Sequence, residues 1–196
     1  MLRHRLTFGP LMIVLIAVIA WLDEWIDTQD APGFFPRETW PPGVLVFILL
    51  AVLGGMAARE VARILRAKGV GVGTGIAVCV QLLGLAAVGL LPQNAPDTTG
   101  LAAAFSTVVI AHIAGVVYAV RDRSPQGAIA VGSGVLMIHV YLGLMLAFLL
   151  LIRREHSVWI LIWVLASVKA CDIGAFFTGT AIGRHKLIPW LSPGKT

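Results

Sequence analysis

Apolar residues run along this chain in long blocks separated by short charged segments. Six blocks stand out, at about 7–22, 43–58, 70–91, 101–120, 127–152 and 157–182. A hydrocarbon core of ~30 Å takes ~20 residues of α-helix at ~1.5 Å per residue, so each block predicts a membrane helix, the first two borrowing flanking residues. The predicted fold class is all-α: a polytopic membrane helix bundle with about six transmembrane helices, organised as a single membrane domain over 1–196.

The polar segments between the blocks alternate in sign. Asp23 to Pro42 carries Asp23, Glu24, Asp27, Asp30 and Glu38 against Arg37, and is broken by prolines at 32, 36, 41 and 42. The next segment carries Arg59, Arg63, Arg66 and Lys68 against Glu60, and the one at 92–100 carries only Asp97. Under the positive-inside rule the N-terminus, the 59–68 segment, the Arg121-Asp122-Arg123 turn and the C-terminal tail face the cytoplasm. Arg153 and Arg154 then fall on the outer side and do not fit the rule.

Composition agrees with a membrane solvent: 58% of residues are hydrophobic, 13% are charged, and mean hydropathy is +0.90. That apolar share is above, and the charged share below, those of a soluble domain. The net charge of +5 is concentrated at span ends, where orientation selects it, so nucleic acid is not an expected partner. Cys79 and Cys171 both lie inside apolar blocks, which leaves neither a disulfide framework nor a CxxC metal site. The first block ends in Trp21-Leu22-Asp23-Glu24 without a small-residue cleavage site and reads as a retained anchor.

Ionisable residues within spans are functional candidates, because a charge there costs roughly 2.5–3.5 kcal/mol on insertion scales. Lys169 and Asp172 stand at i, i+3 in the last block, on one side of a helix, where they can neutralise each other. Asp172 is followed by the small residues Gly174 and Ala175, which leave a carboxylate approachable. It is expected at the cytoplasmic end of the span, toward the bundle interior beside Lys169. His112 and His139 also lie in spans; the plainer expectation is a neutral imidazole bonded to a neighbouring helix, the sharper one a metal ligand or proton relay. Gly179 and Gly183 form a GxxxG spacing that permits close helix packing, a weak signal in a chain with 21 glycines.

The strongest pattern is the stretch Lys169-Ala-Cys-Asp-Ile-Gly-Ala-Phe-Phe-Thr-Gly-Thr-Ala-Ile-Gly-Arg-His-Lys-Leu-Ile-Pro-Trp-Leu-Ser-Pro-Gly-Lys-Thr196. Its ending is not a phosphate-binding P-loop, since the glycine that pattern needs is replaced by Pro189. The stretch resembles the phosphatidate cytidylyltransferase (CDP-diacylglycerol synthase) family, whose pattern is roughly D-T-G-A-Y-F-x-G-R-x-x-G-K-H-K-L-x-P-x-x-S-P-K-K-T. Matching positions include Asp172, Gly174, Ala175, Phe177, Gly179, Gly183, His185, Lys186, Pro189, Ser192, Pro193, Lys195 and Thr196. Ile173, Phe176, Thr180, Arg184 and Gly194 depart from it, and Thr180 and Gly194 remove two basic phosphate contacts. A weaker likeness covers Val135 to Arg153 and the N-terminal Arg-His-Arg with Gly9-Pro10.

The resemblance implies transfer of CMP from CTP to phosphatidate, giving CDP-diacylglycerol and pyrophosphate. It implies Asp172 and Lys195 as catalytic residues, with Asp172 also the ligand of Mg²⁺ or another divalent cation. Lys195, with Ser192 and Thr196, is implied at the CTP phosphates, and Lys169, Arg184 and Lys186 as further substrate-binding groups. For Arg184 and Lys186, simple charge flanking of a span is an equal alternative. CTP, phosphatidate and membrane lipids are the expected partners; a homodimer is left open. The location implied is a bacterial inner membrane, active side cytoplasmic. The family pattern continues past Ser-Pro-x-Lys-Thr into further spans and an acidic signature, so these residues are expected to be an N-terminal portion, inactive alone. Two other readings stand beside this one: a CTP-dependent polyprenol or phytol kinase, and a non-enzymatic transporter or scaffold using Lys169, Asp172 and the span histidines.

Overall fold

The computed structural model describes residues 2–31, 40–92, 96–121, 125–183 and 190. Helices follow the apolar blocks: α1 (Leu2–Ile26), α2 (Val44–Ala67), α3 (Thr74–Gly89), α4 (Asp97–Val120), α5 (Ala128–Ile138), a π-helical turn (His139–Leu144), α6 (Met145–Glu155) and α7 (Val158–Ile182). The fifth block is thus one continuous rod whose middle is wound as a π-helix. Among the described residues no strand occurs.

Among the described residues, four helical stretches are long and apolar enough to cross a membrane: Val44–Ala67, Thr98–Val120, Ala128–Glu155 and Val158–Ile182. That is two fewer than the six crossings expected. α3 is apolar but has only 16 residues, ending at Gly89 where the run had been read to 91. α1 extends to Ile26, which moves Asp23 and Glu24 from the expected loop into the last turn of a helix.

The chain divides into two compact units, Met1–Val158 and Trp159–Thr196. In the first unit α3 is central, packing against α2, α4, the π turn and α6. Its core is built from small and β-branched residues, among them Ala58, Ala62, Val72, Ala77, Val135 and Ile138. Small residues let backbones approach, which is how helices gain contact energy where lipid removes the hydrophobic drive between them. The closest approach is Gly84 of α3 on Gly143 of the π turn: a Cβ added at Gly84 would lie 2.8 Å from the Gly143 Cα.

One end of this unit is held by charge. Asp23 Oδ1 accepts the backbone N–H groups of Leu45 at 2.8 Å and Val46 at 3.2 Å, capping α2 from a different helix. The residue in the N-cap position, Gly43, has no side chain to do this; its φ of +84° and the nearness of Arg153 Cγ, 3.1 Å from where a Cβ would stand, explain why glycine sits there. Glu24 Oε2 accepts the N–H of Val158, the first residue of α7, at 2.9 Å. Arg154 donates to the carbonyls of Val88 at 2.5 Å and of Leu91, satisfying the C-terminus of α3. Helix ends in or near hydrocarbon need such partners, because water is not there to supply them.

The second unit contains the rest of α7, which is apolar except for Ser167, Lys169, Asp172, Thr178 and Thr180.

Candidate functional site

On α7 the expected pair forms: Lys169 Nζ lies 3.6 Å from Asp172 Oδ2. The i, i+3 spacing on a regular helix is sufficient to bring them together. Both side chains are largely exposed, 76% and 68%. The polar neighbour expected for Asp172 is therefore present on α7 itself. At 3.6 Å the contact is an ion pair rather than a hydrogen bond, so the carboxylate keeps open coordination sites. Gly174 adds no bulk, since nothing lies within 4 Å of where its Cβ would be.

Around the pair α7 satisfies its own hydroxyls. Ser167 donates to the Trp163 carbonyl at 2.8 Å, and Thr180 Oγ1 lies 2.9 Å from the Phe176 carbonyl and 3.0 Å from that of Phe177. Their hydroxyls are thus occupied on the helix itself. The Phe176 and Phe177 rings meet edge-on at 5.8 Å. Arg184, Lys186, Ser192, Lys195 and Thr196 lie outside the described residues.

The two span histidines separate. His139 is fully buried and its Nδ1 lies 2.8 Å from the Val80 carbonyl of α3, the plainer of its two expected roles. His112 is exposed on α4 and has no hydrogen-bond partner among the described residues. Among the described residues no three His, Cys, Asp or Glu side chains converge on a metal position.

Sequence reasoning missed the buried ionic node of the first unit. Arg153 Nε meets Asp23 Oδ2 at 2.5 Å, a second guanidinium nitrogen meets Asp27, and Glu24 lies 3.6 Å away. Arg153 and Asp23 are 3% and 1% exposed, so this is an interior contact and not a surface charge. It resolves the topological misfit: Arg153 and Arg154 are spent on internal carboxylates and carbonyls, and do not report orientation. The available signal was the acidic run 23–30 facing a lone Arg-Arg on the same side. Beside the node is an apolar cavity of about 470 Å³ lined by Leu91, Leu101, Phe148, Leu151 and Arg154. Its lining is mostly apolar, with Arg154 and Glu155 as the charged side chains.

The sequence model of the cytidylyltransferase family matches residues 32–196. The chain belongs to that family. The match covers the Lys169–Asp172 pair and the whole motif that follows it. A phosphatidate cytidylyltransferase from Haemophilus influenzae is 46% identical over 41 residues, which is 21% of this chain and 14% of that protein. The aligned stretch is a small part of that relative's length. No solved structure matches the chain.

Proposed function

We propose that this chain belongs to a phosphatidate cytidylyltransferase, which transfers CMP from CTP to phosphatidate. The observation that carries the reading is the family match running through residue 196, because it includes Asp172 and the tail that resembles this enzyme. The identity with the Haemophilus influenzae protein of that name supports it.

In the reaction an oxygen of the lipid phosphate attacks the α-phosphorus of CTP. A P–O bond forms there, the bond from that phosphorus to the pyrophosphate oxygen breaks, and pyrophosphate leaves with the electron pair. A phosphate monoester has a second pKa of about 6, so near neutral pH the nucleophile is already ionised and no strong base is needed. The obstacle is repulsion between anions. Positioning and charge neutralisation are what the protein must supply.

Asp172 suits a divalent-cation site to the extent of one carboxylate. Mg²⁺ is commonly held by one or two carboxylates together with phosphates and retained waters, and Asp172 is exposed and only ion-paired. Bound there, Mg²⁺ would neutralise phosphate charge. Lys169 would hold the Asp172 carboxylate in place or contact a phosphate directly. Lys195, Ser192 and Thr196 would donate to CTP phosphates, and Arg184 and Lys186 to the lipid phosphate. We assign six crossings with the active end in the cytoplasm, where CTP arrives from water and phosphatidate from the leaflet.

Product analysis tests the reaction. The complete gene product carrying these residues, given CTP, phosphatidate and Mg²⁺, is expected to release pyrophosphate and form a CDP-lipid. Release of CDP with phosphorylation of a lipid alcohol would instead identify a kinase, and neither product would favour a non-enzymatic role.

A further inference from the structure

The α2 surface carries a pattern that the reaction does not use. Val52, Met56, Arg59, Arg63 and Arg66 follow each other at spacings of four, three, four and three, which at ~3.6 residues per turn keeps all five on one narrow stripe. All five are exposed. The adjoining side of the same helix, with Gly54, Gly55, Ala58 and Ala62 centred about 100° around from the stripe, is buried against the bundle. The stripe is therefore apolar toward the middle of α2 and basic toward its C-terminus, with exposed Lys68 just beyond.

Among the described residues none of these arginines is paired with a carboxylate. At the other end of the unit, by contrast, Arg153 and Arg154 are committed to Asp23, Asp27 and backbone carbonyls. Glu60 is the one acidic residue between 59 and 68; it stands i, i+3 from Arg63, about 60° around the helix, without forming an ion pair there. The helix dipole accounts for a cation in the last turn, such as Arg66, but not for Arg59 two turns earlier. Membrane orientation needs basic residues in the segment, not their alignment on one exposed stripe.

We propose that this stripe is a docking surface for anionic phospholipid head groups. Acyl chains lie along Val52 and Met56, and the head-group phosphate is held by Arg59, Arg63 and Arg66. The surface stands independently of the reaction proposed above. Its occupant follows from continuity: one straight face passes from hydrocarbon-facing side chains to three cations, matching the order of tail and phosphate in a lipid. Guanidinium groups suit this because they bind phosphate oxygens in pairs.

The test reconstitutes the purified protein in phosphatidylcholine vesicles containing a trace of spin-labelled phosphatidylglycerol or, separately, spin-labelled phosphatidylcholine. The fraction of label immobilised by the protein is then compared. Wild type is expected to prefer phosphatidylglycerol, with a preference that weakens as salt is raised. The triple variant Arg59→Gln, Arg63→Gln, Arg66→Gln is expected to lose it, each arginine contributing on the order of five-fold. The triple lysine variant retains it. Equal immobilisation of both lipids by wild type, unchanged selectivity in the glutamine variant, or its loss in the lysine variant would each overturn the proposal. So would displacement of the lipid by inorganic phosphate at constant ionic strength, which would mark a phosphate pocket and not a lipid surface.

Discussion

Arg153 Nε lies 2.5 Å from Asp23 Oδ2 across 130 positions of sequence, with both side chains sealed from solvent. The contact ties α6 to α1, and through the other oxygen of Asp23 to the start of α2. Burial makes it hard to replace by halves. Removing one partner of such a pair leaves an uncompensated charge and costs roughly 3–5 kcal/mol, although the intact pair need not be strongly stabilising. Arg153→Met is therefore expected to destabilise the protein by about that amount. Denaturant unfolding in detergent micelles measures it. Adding Asp23→Asn to Arg153→Met should recover part of the loss, and a purely additive second loss would contradict the pairing.

Asp27, just past the end of α1, gives the node a pH dependence. Burial pushes its carboxyl above the ordinary 3.8; the Arg153 hydrogen bond and charge oppose this, and the charges of Asp23 and Glu24 add to it. Between 3.8 and the raised value the folded state holds a proton that the unfolded state has lost. Its contribution to stability is fully present below 3.8 and is lost as pH rises through the folded-state value. Melting curves of wild type and Asp27→Asn should thus diverge across this window, wild type falling relative to the variant. Parallel curves would contradict the assignment.

The α3 crossing of the π turn depends on two glycines. A methyl group at Gly84 would strike the backbone of Gly143 and Leu144, which cannot move aside as a side-chain tip can. Gly84→Ala is expected to cost roughly 1–3 kcal/mol by forcing the helices apart. Gly75→Ala, at a position with nothing within 4 Å, is the control and should leave the unfolding midpoint nearly unchanged. Equal effects at both positions would count against close packing here.

Periodicity and block length made the helices readable from the chain itself, and the i, i+3 spacing was enough to foresee Lys169 beside Asp172. The misses share a cause. Arg153 finds Asp23, and Gly84 finds Gly143, only once distant helices are packed, so local pattern carries no mark of either contact. The π turn at His139 is similar: an apolar run looks the same whether its backbone bonds join residues i and i+4 or i and i+5. Charge counting at span ends assumed that every arginine faces water, which fails for Arg153 and Arg154. The family was legible because its motif is local and ordered, from Asp172 onward.

The role proposed for Asp172 is cytidylyl transfer to a lipid. It is tested most directly by following label from [α-³²P]CTP into chloroform-soluble product, in the presence of phosphatidate and Mg²⁺, for the complete gene product and its Asp172→Asn variant. Asparagine keeps the size of the side chain and removes its charge. Wild type should form labelled CDP-lipid, and the variant should lose activity on the order of 10²-fold or more while retaining the melting temperature of wild type. Full activity in the variant would reduce Asp172 to one half of an ion pair, and no labelled lipid from wild type would contradict the reaction itself.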